Sequence, residues 1–518
     1  MYDYIIIGAG PAGLQTGFFL QKYNYNYLIL EQNNSVGSFF QKFPIHRKLI
    51  SINKVHTGSE NKDFNLRHDW NSLLSDNDEL LVKNYTNKYY PDADTYVNYL
   101  KDYYTKNELN ILFNQQVINI KKNTDSSNND IFIINTTDET YVTKKLIIST
   151  GTIKHNEIII PDIINYSELS LDKEQFINKK ILIIGGGNSG YEVANYLTDT
   201  ASNITMITKN PVRFAWQTHY VGDLRAVNNE FLDTYQLKSQ NVLFEDDIHN
   251  YFRRMVYDSI NKKYYIKFKE TINDYEFDYI INCSGFRFDS SIFSFPVLTK
   301  YNLPVCKPNY ESIDIPNLFF TGRLMHFQDY KKSSGAFIHG FRYLIRSFVN
   351  IESNNLKQIN LSYHELDSKI IDRINNSSGI YQMFGFLIDI ILIHRNEDGT
   401  CNSFTYIEEI PYQYALENIL NKNDESIILY LNYGKNYGGK MNYVGNLENS
   451  TYVFGIDRGE NDPVHASKSN FIHPILKYYN LDKLLKTTHI LEEPYGNWNN
   501  KYSHVGPLKK FLNSIINV

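Results

Sequence analysis

The passage Tyr4-Ile-Ile-Ile7-Gly8-Ala-Gly10-Pro11-Ala12-Gly13 decides how this chain folds. Its first four residues are apolar and largely β-branched, the pattern of a strand buried on both faces of a parallel sheet. Residues 14–22 carry a helical pattern, Tyr27-Leu-Ile-Leu30 reads as the next strand, and Glu31 closes it. This is a G-x-G-x-x-G loop in its full context, between strand and helix and with an acid about twenty residues on. Gly8 permits the tight turn, Gly10 lets the backbone approach a pyrophosphate, and Gly13 lets the helix lie against the strand. The helix start, around Pro11 and Ala12, turns unpaired N–H groups and a partial positive charge toward phosphates. Glu31 is placed to accept hydrogen bonds from the hydroxyls of an adenosine ribose.

Lys180-Ile-Leu-Ile-Ile184-Gly185-Gly-Gly187-Asn188-Ser189-Gly190 repeats the arrangement, with a helix over 191–197 and a strand at Ile204-Thr-Met-Ile207. No acid closes this second strand, which runs into Thr208-Lys209-Asn210 with Arg213 close by. A carboxylate there would repel a 2′-phosphate, whereas Lys and Arg attract one, so NADPH is expected over NADH. The alternative is a solvated Lys and Arg in a loop. Two such units divide the labour: the first is expected to hold FAD, and the second to present the nicotinamide for hydride transfer.

Lys145-Leu-Ile-Ile-Ser-Thr150-Gly151 and Tyr279-Ile-Ile-Asn-Cys-Ser-Gly285 are strands ending in small-residue turns. Both resemble the turns that close each domain in two-dinucleotide flavoproteins. Asn317-Leu-Phe-Phe-Thr-Gly322 is a further strand and turn that returns the chain to the first domain. Ser334-Gly335-Ala336-Phe337 then opens a helix running to about residue 349. Its N-terminus, beside an isoalloxazine, would stabilise the negative charge of a reduced flavin. The turn before such a helix often carries Asp in flavoproteins of this type; here it carries Arg323. The reading is α/β, with two nested Rossmann-like dinucleotide-binding domains and an additional C-terminal α+β segment. The FAD domain is placed at 1–160 and 290–349, the NADPH domain at 161–289, and the C-terminal segment at 350–518. That segment carries no catalytic motif and is expected to dock protein partners or cover the core.

The 518 residues allow roughly three domains of about 150. A hydrophobic share of 42% with 21% charged residues is ordinary for a globular chain. The formal net charge of -5 gives no basic footprint for nucleic acid. Cys283, Cys306 and Cys401 form no C-x-x-C pair, which argues against a disulfide framework, a zinc cluster or an internal dithiol relay. Cys283 reads as a buried small hydrophobe. No stretch of about 18 uncharged apolar residues exists, so no membrane span is expected. The opening Met1-Tyr-Asp-Tyr lacks the n-region of a signal peptide, so the expected location is cytoplasmic.

Longer phrases carry a resemblance. They include His46-Arg-Lys-Leu-Ile-Ser-Ile-Asn53-Lys54, Phe64-Asn-Leu-Arg-His-Asp-Trp-Asn-Ser-Leu-Leu74, Thr218-His-Tyr-Val-Gly-Asp-Leu-Arg-Ala226 and Asp233-Thr-Tyr-Gln-Leu-Lys-Ser239. Phe337-Ile-His-Gly-Phe-Arg-Tyr343, Ser378-Gly-Ile-Tyr-Gln-Met-Phe-Gly385 and Ser469-Asn-Phe-Ile-His-Pro474 continue them. On these the chain resembles, over nearly its whole length, the FAD-dependent oxidoreductase domain-containing protein 2 family, relatives of the flavin-containing monooxygenases. The resemblance implies FAD, NADPH, nested dinucleotide domains and oxidoreductase chemistry. It also implies the endoplasmic-reticulum lumen and a role in the degradation of misfolded glycoproteins, which the missing signal peptide puts in question. By the same resemblance Phe39 and Phe40 fall beside the flavin, and Asn53 falls where those relatives place an active-site Asn. Val117 is implied to lend its backbone to the adenine. The monooxygenase linker pattern F-x-G-x-x-x-H is missing; the stretch reads Pro161-Asp-Ile-Ile-Asn-Tyr-Ser-Glu-Leu169.

The leading expectation is an oxidoreductase passing hydride from NADPH to FAD and on to a small-molecule or protein acceptor. The alternatives are a monooxygenase acting on a soft N or S atom, and a flavin-bearing adaptor in protein quality control. His68, Asp69 and Trp70, and His219, Tyr220 and Asp223, are polar clusters that suit either the cleft or plain structural hydrogen bonding.

Overall fold

Strand Tyr2–Ile7 sits inside a seven-stranded sheet because apolar side chains cover both its faces. It pairs in parallel with Tyr27–Leu30 on one side and Thr140–Ile148 on the other, Ile5 standing opposite Leu28 and Leu146. Leu318–Phe320 returns from far along the chain to pair in parallel with Thr140–Ile148. Asp130–Thr136 and Val117–Thr124 extend the sheet as antiparallel strands. The structure is a computed structural model that describes residues 1–230, 242–245, 252–268, 273–422, 425–434, 465–469 and 471–516. The resembling phrase at 233–239 lies outside the described residues.

Helix Pro11–Lys22 begins three residues before the apolar pattern suggests, with Pro in its first turn and Gly10 as its cap. Proline's fixed φ and missing N–H cost nothing there. A Cβ on Gly17 would meet Ile29 Cδ1 at 2.8 Å, so the helix lies closer to the sheet than any side chain would allow. Helix Ala93–Lys106 buries Tyr96, Tyr99, Leu100 and Tyr103, an i, i+3, i+4, i+7 stripe. Helix Ile338–Glu352 completes this core.

The second sheet is parallel, in the order Val242–Glu245, Asn203–Ile207, Lys180–Ile184, Tyr279–Asn282, Ile164–Asn165. Its helix, Asn188–Leu197, starts inside the glycine loop rather than at residue 191. Antiparallel strands Phe252–Asp258, Lys263–Phe268 and Tyr275–Phe277 form a small separate sheet. The chain enters and leaves this unit side by side, since Lys154–His155 pairs antiparallel with Phe286–Arg287.

Beyond helix Ile338–Glu352 lies a six-stranded antiparallel sheet. Its order is Gln358–Leu361, Cys401–Pro411, Leu387–Arg395, Glu425–Asn432, His473–Asn480, Lys483–His489. Successive residues feed opposite faces. Ile391 and Ile427 pack with helices Tyr363–Asn376 and Gly506–Ile516, while Ile390 and Ile428 pack with helix Tyr412–Asn418. Cover on both faces explains why the central strands Leu387–Arg395 and Glu425–Asn432 are buried and mainly apolar at successive residues. No helix among the described residues is long and apolar enough to cross a membrane.

Candidate active site

The two glycine loops use their residues in the same way. Gly8 takes φ +103° and Gly185 takes φ +119° where each loop leaves its strand, angles open to glycine without steric cost. A Cβ on Gly13 would lie 1.9 Å from the Gly8 carbonyl oxygen, and one on Gly190 would lie 2.1 Å from that of Gly185. A Cβ on Gly10 or Gly187 would instead meet no protein atom within 4 Å. The outer glycines therefore serve packing, and the middle ones keep open the volume a pyrophosphate needs.

One cleft of about 2920 Å³ joins the two loops. A single small-ligand pocket is typically ~300–1,000 Å³, so this volume suits two dinucleotides better than one small ligand. Gly8, Gly10, Pro11, Ala12, Glu31, Phe39, Phe40, Val117, Thr150, Gly151 and Ala336 line it from the first domain. Gly185, Gly187, Asn188, Ser189, Thr208, Lys209 and Arg213 line it from the second. Phe337, Ile338 and His339 bring the start of helix Ile338–Glu352 to the same space.

Five expected residues stand elsewhere. Gly13 and Gly190 lie behind the wall, for the packing reason above. Gly322, at φ +69°, is bare because its Cβ would come 2.4 Å from that of Ala12. Gly335 is bare because its Cβ would come 2.3 Å from Asp329 Oδ1. Asn53, the expected catalytic residue, is buried and is not among the residues that line the cleft. Its Nδ2 donates to the carbonyls of Thr86 (2.9 Å) and Lys88 (3.2 Å), which ties two loops together.

Glu31 is buried at the cleft edge, where Oε2 accepts from Ala9 N (2.8 Å) and Oε1 from Asn33 N (3.0 Å). The Asn188 side chain is spent on protein. Oδ1 accepts from Arg225 N and Asn228 Nδ2, both at 3.0 Å, and Nδ2 donates to the Asp223 carbonyl (2.9 Å). It anchors the loop that forms the far wall, leaving only its backbone for a ligand. Thr208 bonds the Asn210 carbonyl through its hydroxyl. Arg213 stands half exposed with Nε 3.3 Å from Asp223 Oδ2.

The two polar clusters divide. Asp69 accepts from the backbone N–H groups of Asn71 and Ser72 (2.9 Å each), so it closes a turn. Burial lowers the His68 pKa, and that ring packs on Phe64. Trp70 alone of the three reaches the cleft. His219 packs on Tyr433, whereas Tyr220 and Asp223 line the cleft.

His339 and Arg225 escaped the sequence reading. The His339 ring stacks on Trp70 (4.4 Å, 21°), and the Arg225 guanidinium lies 5.1 Å from the Trp70 ring centre. Burial, with Arg342 and Arg225 nearby, holds the His339 imidazole well below its usual pKa and so neutral. No local pattern marks these residues, because Trp70, Arg225 and His339 are far apart in the chain. Cys283 and Cys306 are buried; burial pushes the Cys306 thiol up to about 12 and raises that of Cys283 as well. Neither is a ready thiolate. Among the described residues no cluster of His, Cys, Asp and Glu could hold a metal ion.

The profile of a family described as Pyridine nucleotide-disulphide oxidoreductase matches residues 5–322. The chain is 35% identical to mouse FAD-dependent oxidoreductase domain-containing protein 2, over 99% of this chain and 84% of that protein. A bacillithiol disulfide reductase from Bacillus cereus is 16% identical at a TM-score of 0.51, covering 68% of this chain and 99% of its own. A flavin-containing monooxygenase from Stenotrophomonas maltophilia is 18% identical at a TM-score of 0.50, covering 68% and 98%. The two structures share the Rossmann-type fold of the first two domains.

Proposed function

This chain belongs to the FAD-dependent oxidoreductase domain-containing protein 2 family and to the pyridine nucleotide-disulphide oxidoreductases, and from that premise we propose that it oxidises NADPH and passes hydride through FAD to a second acceptor. It is an FAD-dependent oxidoreductase, monooxygenase-like in its relatives. The observation that supports the finer reading is the single cleft lined by both glycine loops. The residues present suit the groups they would hold. Gly10 keeps the first loop's backbone bare for the FAD pyrophosphate, and Glu31 offers its carboxylate to the ribose hydroxyls. Gly187 does the same for a nicotinamide dinucleotide, and Thr208, Lys209 and Arg213, which line the same cleft, are the groups on offer to a 2′-phosphate. When bound, the flavin supplies the two-electron chemistry.

The family description names disulphides, yet this chain brings no thiol pair to the cleft. Cys283 lines it alone, with its thiol pKa raised by burial. The acceptor is therefore a separate molecule rather than an internal dithiol. The test is rapid mixing of the purified yellow protein with NADPH or NADH under anaerobic conditions, followed at the flavin absorbance. NADPH should bleach the flavin at lower concentration than NADH. No bleaching by either nucleotide would sink the proposal and favour a flavin-bearing adaptor.

A further inference from the structure

The loop after residue 218 and the turn between Gly322 and Gly335 meet through three side chains from different domains. Tyr220 lines the cleft, and its ring lies parallel to that of His326 (5.6 Å, 4°). The Tyr220 hydroxyl is 3.0 Å from His326 Nε2, and His326 Nδ1 is 3.0 Å from Asp329 Oδ1. The backbone N–H of Lys331 also points at Nε2, at 3.1 Å. A nitrogen that accepts from an N–H carries no proton of its own. The ring proton therefore sits on Nδ1, facing Asp329, and Tyr220 donates to Nε2. Asp329 is fully buried, and its other oxygen accepts from Ser333 Oγ (2.6 Å) and Gly335 N (2.9 Å). Gly222 is bare beneath the tyrosine: a Cβ there would lie 2.4 Å from the Tyr220 ring. Tyr220, a residue of the cleft wall, is thus held in one position against His326.

Reduction of an acceptor A that ends as AH₂ follows NADPH + H⁺ + A → NADP⁺ + AH₂. One hydride moves, and one further proton is consumed. We propose, resting on the function stated above, that Tyr220, His326 and Asp329 store that proton and deliver it to the acceptor. In uptake, a proton from bulk solvent, relayed through the cleft, reaches the Tyr220 oxygen while the tyrosine's own proton passes to His326 Nε2, which gives up the Lys331 N–H it had accepted. The resulting imidazolium is balanced by the Asp329 carboxylate, the logic by which a buried acid supports a histidine in hydrolytic triads. In delivery, the Tyr220 O–H bond breaks toward the acceptor atom and the Nε2 proton returns to the tyrosine oxygen. No electron passes through the three residues.

Two acceptors separate proton demand from electron demand. 1,4-Benzoquinone takes one proton beyond the hydride, and ferricyanide takes electrons alone. Reoxidation of the FAD-loaded, reduced chain by each is followed by rapid mixing. In Tyr220→Phe the ratio of quinone rate to ferricyanide rate should fall about a hundredfold or more, the low end of the usual range for a lost general acid. Asp329→Asn should lower the same ratio. An unchanged ratio in both variants would overturn the proposal. Dithionite can reduce the chain in place of NADPH, so a wild type that NADPH fails to reduce would sink the proposed function while leaving this test intact. A second readout needs no flavin. Proton NMR of the FAD-free chain should show a low-field imidazole N–H signal that Asp329→Asn and His326→Gln both abolish. Its persistence in His326→Gln would mean that no such pair exists.

Discussion

Gly10 and Gly13 are the same residue three positions apart, under different constraints. At Gly13 the limit is protein: a Cβ would strike the Gly8 carbonyl oxygen. At Gly10 the limit is ligand, since protein leaves that space open. Gly10→Val should therefore fold and lose FAD, which flavin absorbance after desalting would show; full flavin retention would refute the first site. Lys209 and Arg213 both line the cleft beside the second glycine loop, but Arg213 already pairs with Asp223. A charged contact to a phosphate contributes roughly 1.5–3 kcal/mol, and about 1.4 kcal/mol is tenfold in affinity. Lys209→Ala should weaken NADPH by about tenfold and leave NADH nearly unchanged, with Arg213→Ala the milder of the two. Concentration dependence of flavin reduction by each nucleotide measures this, and equal weakening of both would mean that Lys209 does not read the phosphate. The glycine positions were legible beforehand because each answers to local geometry. Asn53 was not, because its use depends on the carbonyls of Thr86 and Lys88, more than thirty residues away.

Strand His473–Asn480 shows how one element sets a pH response. His473 is buried, its Nδ1 donates to the Phe471 carbonyl (3.1 Å), and its Nε2 faces His489 Nδ1 (2.9 Å). Burial pulls its pKa down from 6.5 to about 4, with the neighbouring His489 acting in the same direction. The folded state therefore holds His473 neutral where the unfolded chain would protonate it. Stability from this group is complete above pH 6.5 and is lost as pH falls toward 4. Each pKa unit corresponds to about 1.4 kcal/mol, so the loss at full acid is roughly 3 kcal/mol. His473→Gln should flatten the stability profile between pH 6.5 and 4, read as denaturant midpoints at several pH values. A profile parallel to wild type would assign the acid sensitivity elsewhere. The strand was foreseeable only as part of an apolar α+β segment. Its neighbour in the sheet, Glu425–Asn432, lies beyond a stretch that carries no pairing signal.

The C-terminal sheet is joined to the first domain by buried charge. Arg67 donates to the carbonyls of Ser377 (3.0 Å) and Ile374 (2.9 Å), and Gln382 donates to the Arg67 carbonyl (2.7 Å). Arg346, from the helix that borders the cleft, pairs with Glu409 of the sheet. Behind this joint, fully buried Asp389 pairs with Arg373 at 2.6 Å and accepts from the Tyr406 hydroxyl at 2.9 Å. Removing one member of a buried ion pair costs about 3–5 kcal/mol, because the partner is left charged and dry. Asp389→Ala should fall near the low end, about 3 kcal/mol, since Glu409 still reaches Arg373 at 3.3 Å. Thermal unfolding would show the loss, and Asp389→Ala with Arg373→Met should recover part of it. A single variant as stable as wild type would show that the network is not stabilising.

What can be read along the chain is what short-range geometry dictates. A turn needing positive φ, a helix pressed on a strand, and an acid or base at a strand end are each settled within about thirty residues. Both dinucleotide loops were legible for that reason. The cleft was not, because it exists only where the two loops face each other. The Tyr220–His326 contact spans 106 positions and the Arg67–Ser377 contact 310. No periodicity or spacing records such pairs, since side-chain packing across domains selects them only after each sheet has formed.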